Sequence, residues 1–434
     1  MKKKIFYLMM MILVLIVSCG KKNESANGGD NGKEIVLRFS WWGGDTRHKA
    51  TLEAIRLFEE KNPGIKIKAE YSGWDSYFEK LSTQITGNTS PDIMQIDWNW
   101  LYIFSKTGDG FYDFNTLKDD FNLGNYDEQA LSYTTINGKV TAIPVGMNGT
   151  AFYYNKTLYD KVGLPLPETV DDLFNAAKVM KEKIGKDTYP ISLVTFDSGY
   201  LFILKYYLEQ KYGKSLINSD NKIGVTKEEL IDGLKFCKSL VDAGVTNSSK
   251  DISGGGNTLT EQDPLWINGK MGGTQSWSTA IVMMVDTLSK GNELVTGEEL
   301  RGIGDNKSAF IKVNMTFAIS KNTKHPKEAA KFLNFLLSDP EASKILGNTR
   351  GIPLNKSAYA ELEKLGLITG LPAEGLEKAM QFAGPKSSPF TEDERVRKLV
   401  LKFTQKIDYA EITPEQAGNE LYAELEKTLV QMTR

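Results

Sequence analysis

Strand-like and helix-like hydrophobic patterns alternate along the first third of this chain. "EIVLRFSWW" reads as a strand, and "TRHKATLEAIRLFEEKN" as a helix with Leu52, Ile55 and Phe58 on one face. "PGIKIKAEYS" is a second strand, "SYFEKLSTQITG" a helix, and "DIMQIDWNW" a third strand running into a loop. This βαβαβ order predicts an α/β protein with an open, mostly parallel sheet flanked by helices. Helices dominate the second half and announce themselves by their first turns. Thr169 with Asp172 and Thr226 with Glu229 have capping-box spacing, and "HPKEAA", "DPEAS" and "TPEQA" put a proline in the first turn. "TAIPVG" and "SAFIKVNMTFAIS" read as strands far apart in sequence, suited to crossing between two lobes.

The N-terminus changes the picture. Lys2 to Lys4 precede an apolar run from Ile5 to Val17, shorter than the ~20 residues of a spanning helix and built like a secretory signal. It ends in "IVSCG", which resembles a bacterial lipobox with Cys19 as the lipidated residue. The polar, glycine-rich "KKNESANGGDNGK" then reads as a flexible tether. Residues 1–18 are thus expected to form a signal peptide, and 19–33 the lipidated cysteine and its tether. Cys237 is the one further cysteine, on a helical pattern, and reads as structural.

Of 434 residues, the charged ones nearly balance to a net -2, which speaks against a nucleic-acid partner. His48 and His325 are the only histidines, and neither HExxH nor CxxC occurs, so no metal or cofactor site is expected. No phosphate-binding glycine loop and no GxSxG elbow is present. The glycine run in "DISGGGNTLT" reads as a surface loop. With 55 acidic residues some carboxylate pair can always be proposed, and sequence spacing does not place one in space.

Aromatic and polar residues recur at the ends of the predicted strands. "SWWGGDTR" contributes Trp41, Trp42, Gly43, Asp45 and Arg47, "EYSGWDSYF" contributes Trp74, and "QIDWNW" contributes Asp97, Trp98 and Asn99. In open α/β sheets, ligands sit beyond the carboxyl ends of the strands. Later stretches add Asn148, Asp197, Gln275, Trp277 and Arg350. A sugar ring needs a flat aromatic partner for its C–H face and Asp, Asn, Gln or Arg for its hydroxyls, and this mixture supplies both. Neighbouring strand residues point to opposite sides, so one of Trp41 and Trp42 is expected to pack inward.

The chain resembles the extracellular solute-binding proteins of bacterial ABC importers, in the carbohydrate-binding group related to maltose-binding protein. The resemblance is carried by "AFYYNKTLYDKVGLPLPETVDDLFNAAK", "PDIMQIDWNW", "INGKMGGTQSW" and "PKEAAKFLNFLLSDPEASKILGNTRGIP". It implies a two-lobed periplasmic-binding-protein fold, with crossings near Ala142–Gly146 and Phe310–Val313. Lobe one would comprise 34–143 and 312–350, and lobe two 144–311 and 351–434. It further implies a monomer that is not an enzyme, anchored to the bacterial membrane, closing on an oligosaccharide and docking to permease subunits. The sugar stays open between neutral and acidic, with Arg47 and Arg350 as candidate partners of a uronate. A surface polysaccharide hydrolase or lyase, and a glycan-binding adhesin, are the competing readings.

Overall fold

The computed structural model describes residues 34–74, 76–193, 199–251 and 259–433. The leader, Cys19, the tether, Asp197 and most of the "DISGGGNTLT" loop lie outside the described residues.

Strand β1 (Ile35–Trp42) pairs in parallel with β2 (Ile65–Ser72) and with β3 (Ile93–Ile96). The helix Asp45–Lys61 follows β1 and the helix Tyr77–Thr86 follows β2, which gives the expected βαβαβ unit. A small hairpin, β4 (Thr135–Ile136) and β5 (Lys139–Val140), stands apart. Then comes β6 (Ile143–Asn155), in which all 13 residues are buried. On its far half β6 pairs with β7 (Gly273–Trp277) and β8 (Leu294–Thr296). On its near half it pairs with β9 (Ile311–Ile319) and β10 (Ile352–Pro353). The strand order is β10-β6-β9-β3-β1-β2, with β7 and β8 joined through β6.

The parallel order expected from the sequence holds for β1, β2 and β3. The pairings of β6 and β9 are antiparallel, because β9 runs back toward the sheet that β6 leaves. The β6–β9 ladder shifts register on both sides of Gly146. A Cβ there would sit 2.8 Å from the Arg350 carbonyl oxygen, so the close approach of the two backbones requires glycine.

Apolar side chains gather in separate clusters. The first joins β1, β2 and β3 to the near half of β6, to β9 and to the helix Pro326–Ser338. The second takes Phe152 and Tyr154 from the far half of β6, with the helices Val170–Lys183, Gly199–Tyr212, Lys227–Asp242, Glu394–Asp408 and Pro414–Thr433. A third, smaller one takes Ala151 and Tyr153 from the opposite face of the same strand. Two lobes thus share one strand. The capping boxes at Thr169 and Thr226 form as expected, each hydroxyl accepting from the backbone N–H three residues on. The helix Lys356–Lys364, placed in lobe two from the sequence, packs on the helices Pro326–Ser338 and Pro340–Leu346. Asn355 caps it while donating to Ser338 Oγ at 2.9 Å. Cys237 is buried, and burial holds its thiol well above the ordinary range.

One ion pair is fully internal to the second lobe. Lys205 Nζ donates to Glu209 Oε2 at 2.5 Å, and both side chains are buried. Ser215 donates to the other carboxylate oxygen at 2.5 Å. Burial pulls the lysine down and the glutamate up, each opposed by its partner. Breaking such a pair leaves an uncompensated charge, whereas an apolar pair of similar volume is tolerated. Glu209→Ala should therefore cost about 3–5 kcal/mol, read as a lower midpoint in urea unfolding followed by circular dichroism. Lys205→Met combined with Glu209→Leu should recover most of that loss.

Candidate functional site

The loops beyond β1, β2 and β3 bring three indoles together. Trp74 stacks on Trp100 at 5.0 Å between ring centroids, and Trp42 meets Trp74 edge-on at 5.2 Å. Tyr77 and Phe78, from the first turn of the helix Tyr77–Thr86, complete the cluster against Trp42 and Trp100. Trp42 and Trp100 are each 7% exposed, but Trp74 is 50% exposed. Trp74 is therefore the ring with a face to offer, and the other two hold it.

Alternation along β1 sends Trp41 the other way. It is fully buried, stacks on Tyr71 at 5.0 Å, and donates from Nε1 to His48 Nδ1 at 3.1 Å. Both tryptophans of the pair are core residues: Trp41 packs on one side of the sheet, and Trp42 on the other lines neither hollow. Trp98 is a third, 2% exposed, with its indole N–H given to the Tyr133 carbonyl at 2.8 Å. It stands between Asp97 and Asn99, which line a hollow, but does not line it itself.

That hollow has a volume of about 640 Å³. Trp74, Phe78, Asp97, Asn99 and Trp100 line it from the first lobe, with Lys312 from β9 and the segment 392–397 opposite. A second hollow of about 330 Å³ is lined by Gln275 and Trp277 of β7, by Phe202, and by Met283 and Met284. The two share Lys312, Glu392 and Arg397, which form a charged ridge between them. Asn99 Oδ1 and Gln275 Oε1 are buried and have no hydrogen-bond partner among the described residues. Each is an acceptor available to a hydroxyl in its hollow. Trp277 is walled by Phe202 at 5.3 Å and Phe310 at 5.2 Å. Lys312 pairs with Glu392, and its ammonium stands 4.6 Å from the Trp277 ring centroid.

The remaining candidates do other work. Arg47 donates from Nε to the Thr349 carbonyl at 2.9 Å and from Nη1 to the Trp42 carbonyl at 3.0 Å. It staples the end of β1 to the segment before Arg350, and burial brings its guanidinium down to about 10. Gly43 leaves room for it, since a Cβ there would lie 2.6 Å from Arg47 Cδ. Asp45 is exposed in the first turn of the helix Asp45–Lys61 and lines neither hollow. Arg350 is buried beneath the first lobe, donating to Gln95 Oε1 at 3.1 Å and to Thr51 Oγ1 at 2.9 Å. Asn148 on β6 spends both ends of its amide, donating to Thr279 Oγ1 at 2.8 Å and accepting from Ser278 Oγ at 2.7 Å. It clasps the turn after Trp277.

The sequence reading missed Lys312, Glu392 and Arg397. A lysine within the apolar run "FIKVNMTFAI" was the available signal; Glu392 and Arg397 sit in a charge run typical of any helix start. Among the described residues no group of His, Cys, Asp and Glu is arranged to hold a metal ion.

Burial pushes the Asp97 carboxyl up to about 6. The Lys312 and Arg397 charges oppose that rise and the Glu392 charge adds to it. A carboxyl whose folded pKa is raised gives stability at low pH that is lost as pH climbs from about 4 through 6. Asp97→Asn should therefore raise the Tm of the free protein at pH 7.5 and leave it unchanged at pH 4, by scanning calorimetry. A gap that persists at pH 4 would place the cost of Asp97 in packing, not charge.

Residues 44–343 match the family described as bacterial extracellular solute-binding proteins. A periplasmic oligogalacturonide-binding protein from Yersinia enterocolitica superposes with a TM-score of 0.83 at 35% identity, covering 92% of this chain and 100% of its own. A de novo designed cysteine esterase matches with a TM-score of 0.86 at 35% identity, covering 93% of this chain and 100% of its own. The maltooligosaccharide ABC transporter solute-binding lipoprotein of Streptococcus pneumoniae is 24% identical over 370 residues, 82% of this chain and 81% of its own length. The esterase is a design, and the buried Cys237 of this chain offers no comparable nucleophile. The two lobes on a shared strand, the larger hollow between them and the match over residues 44–343 lead to one assignment: this chain belongs to the bacterial extracellular solute-binding proteins, which bind their ligands and do not transform them.

Proposed function

We propose that this chain binds an acidic oligosaccharide, of the oligouronide class, between its lobes and delivers it to the permease subunits of an ABC importer. The observation that carries the reading is a pair of indoles, Trp74 and Trp277, one from each lobe, on either side of the ridge that bears Lys312 and Arg397. Indoles stack on the apolar faces of pyranose rings. Cations on a partly desolvated ridge favour carboxylates, through hydrogen bonds about twice as strong as neutral ones. The Yersinia relative, at 35% identity, is named for a uronide. The pneumococcal relative is named for a neutral sugar and for a lipoprotein, which supports the transport role and the anchor at Cys19 more than the choice of sugar.

A ligand that touches Trp74 on one lobe and Trp277 on the other gains contacts only when the lobes close, and such differential contact is what shifts a hinge equilibrium. Calorimetric titration with di- and trigalacturonate should give a Kd of ~1 µM or below, equivalent to about -8 kcal/mol, with a smaller radius of gyration in solution scattering. Binding of maltotriose alone would replace the acidic sugar with a neutral one. Shortened products would make the protein an enzyme, and binding without compaction would favour an adhesin. Cys19→Ser should move the protein from the membrane fraction to the soluble fraction of the cells that make it.

A further inference from the structure

Lys312 occupies an unusual position. It lies on β9 directly across from Asn148 of β6, where the ladder fixes its backbone. It lines both hollows. Its side chain is 16% exposed and that of its partner Glu392 is 11% exposed, so the pair is largely out of water. Its ammonium also stands over the Trp277 ring, and both residues line the same hollow. A pyranose stacking on that indole competes with the ammonium for the ring. Phe202 and Phe310 pack against the same ring.

We propose that Lys312 is the residue that reads the ligand's carboxylate, and that it does so by exchanging partners: the uronide carboxylate takes the place of Glu392, and a sugar ring takes the place of the ammonium on Trp277. The inference rests on the acidic reading of the cleft. Glu392 presents to Lys312 the same chemical group that a uronide presents, so the protein holds an internal copy of the ligand's charge. Exchange keeps one charge-assisted hydrogen bond on Lys312 in place of another and adds the stacking of a ring, while the displaced Glu392 turns to Arg397, which lines the same two hollows. A neutral sugar has nothing to offer Lys312. It must either leave the ammonium on Trp277 or draw it away from Glu392 without replacing the counter-ion, which strands a desolvated charge. Discrimination thus arises as much from the penalty on the neutral ligand as from attraction of the acid. The other charges lining the larger hollow with the lysine are Glu79, Asp97, Asp393 and Glu394 against Arg395 and Arg397, and Glu261 lines the smaller one. The acids repel an incoming carboxylate and the arginines attract it, so the preference for the acid falls to Lys312.

The test compares digalacturonate with its methyl ester, which is the same sugar without charge, on the full chain. Wild-type protein should prefer the acid. Lys312→Met should weaken the acid by about 10- to 100-fold, the size of a lost hydrogen bond to a charged group, and should tighten the ester, because the ammonium that penalised a neutral sugar on Trp277 is gone. Lys312→Arg should restore most of the preference, which a loss of packing alone would not allow. Glu392→Gln should tighten the acid and steepen the salt dependence of its binding, because the competing counter-ion is gone. Acid binding by Lys312→Met equal to wild type, with digalacturonate still a wild-type ligand, would overturn the role of Lys312 and leave the uronide reading standing. Wild-type binding of maltotriose but of no uronide would overturn the ligand class, and this inference with it.

Discussion

The structure depends on one buried strand. All 13 residues of β6 are out of water, so each backbone N–H and C=O along it must find a partner within the protein. On its near half those partners are β9 and β10, and on its far half β7 and β8. The ladder that satisfies β6 also sets the cleft. Lys312 lies across from Asn148, and Trp277 lies across from Thr150. The charge of the ridge and the indole of the second hollow are placed by neighbouring positions of a single strand. Their relation cannot drift without breaking main-chain hydrogen bonds.

Much of the first lobe was legible in the sequence. The βαβαβ order, the capping boxes and the tryptophans at strand ends are local patterns, and local patterns form wherever tertiary packing does not oppose them. The two-residue period of a strand required Trp41 and Trp42 to part company, but period alone gives no sign of which side is the core. Both sides prove to be covered: Tyr71 and His48 reach Trp41 from β2 and from the helix Asp45–Lys61, while Tyr77 and Trp100 cover Trp42. Trp98 misled for the same reason: its partner is the Tyr133 carbonyl, 35 residues away. Arg47 and Arg350 looked like ligand-facing cations, yet both give their hydrogen bonds to the protein. An arginine with long reach and several donors serves either purpose, and sequence does not distinguish them.

The ridge was illegible for a different reason. Lys312 and Glu392 are 80 residues apart and meet only because β9 and the segment before Glu394–Asp408 converge at the cleft. Beneath that point the second lobe holds a further layer of charge. Lys205 stands 4.3 Å from the Phe310 ring centroid, and Phe310 packs on Trp277. Burial also pushes Glu299 up to about 7, close by. The indole rests on Phe202 and Phe310, and beneath Phe310 lies the buried Lys205–Glu209 pair, a fully hydrogen-bonded polar element that fixes the floor.

The sequestration of Cys237 has a practical side. Burial keeps its thiol protonated and out of contact with reagents, and the described residues contain no other cysteine. The folded part of the molecule is therefore chemically silent toward maleimides and spin labels. A cysteine introduced on each lobe, flanking the hollows, would be the only accessible pair among the described residues, so interlobe distance becomes measurable by paired probes without replacing Cys237.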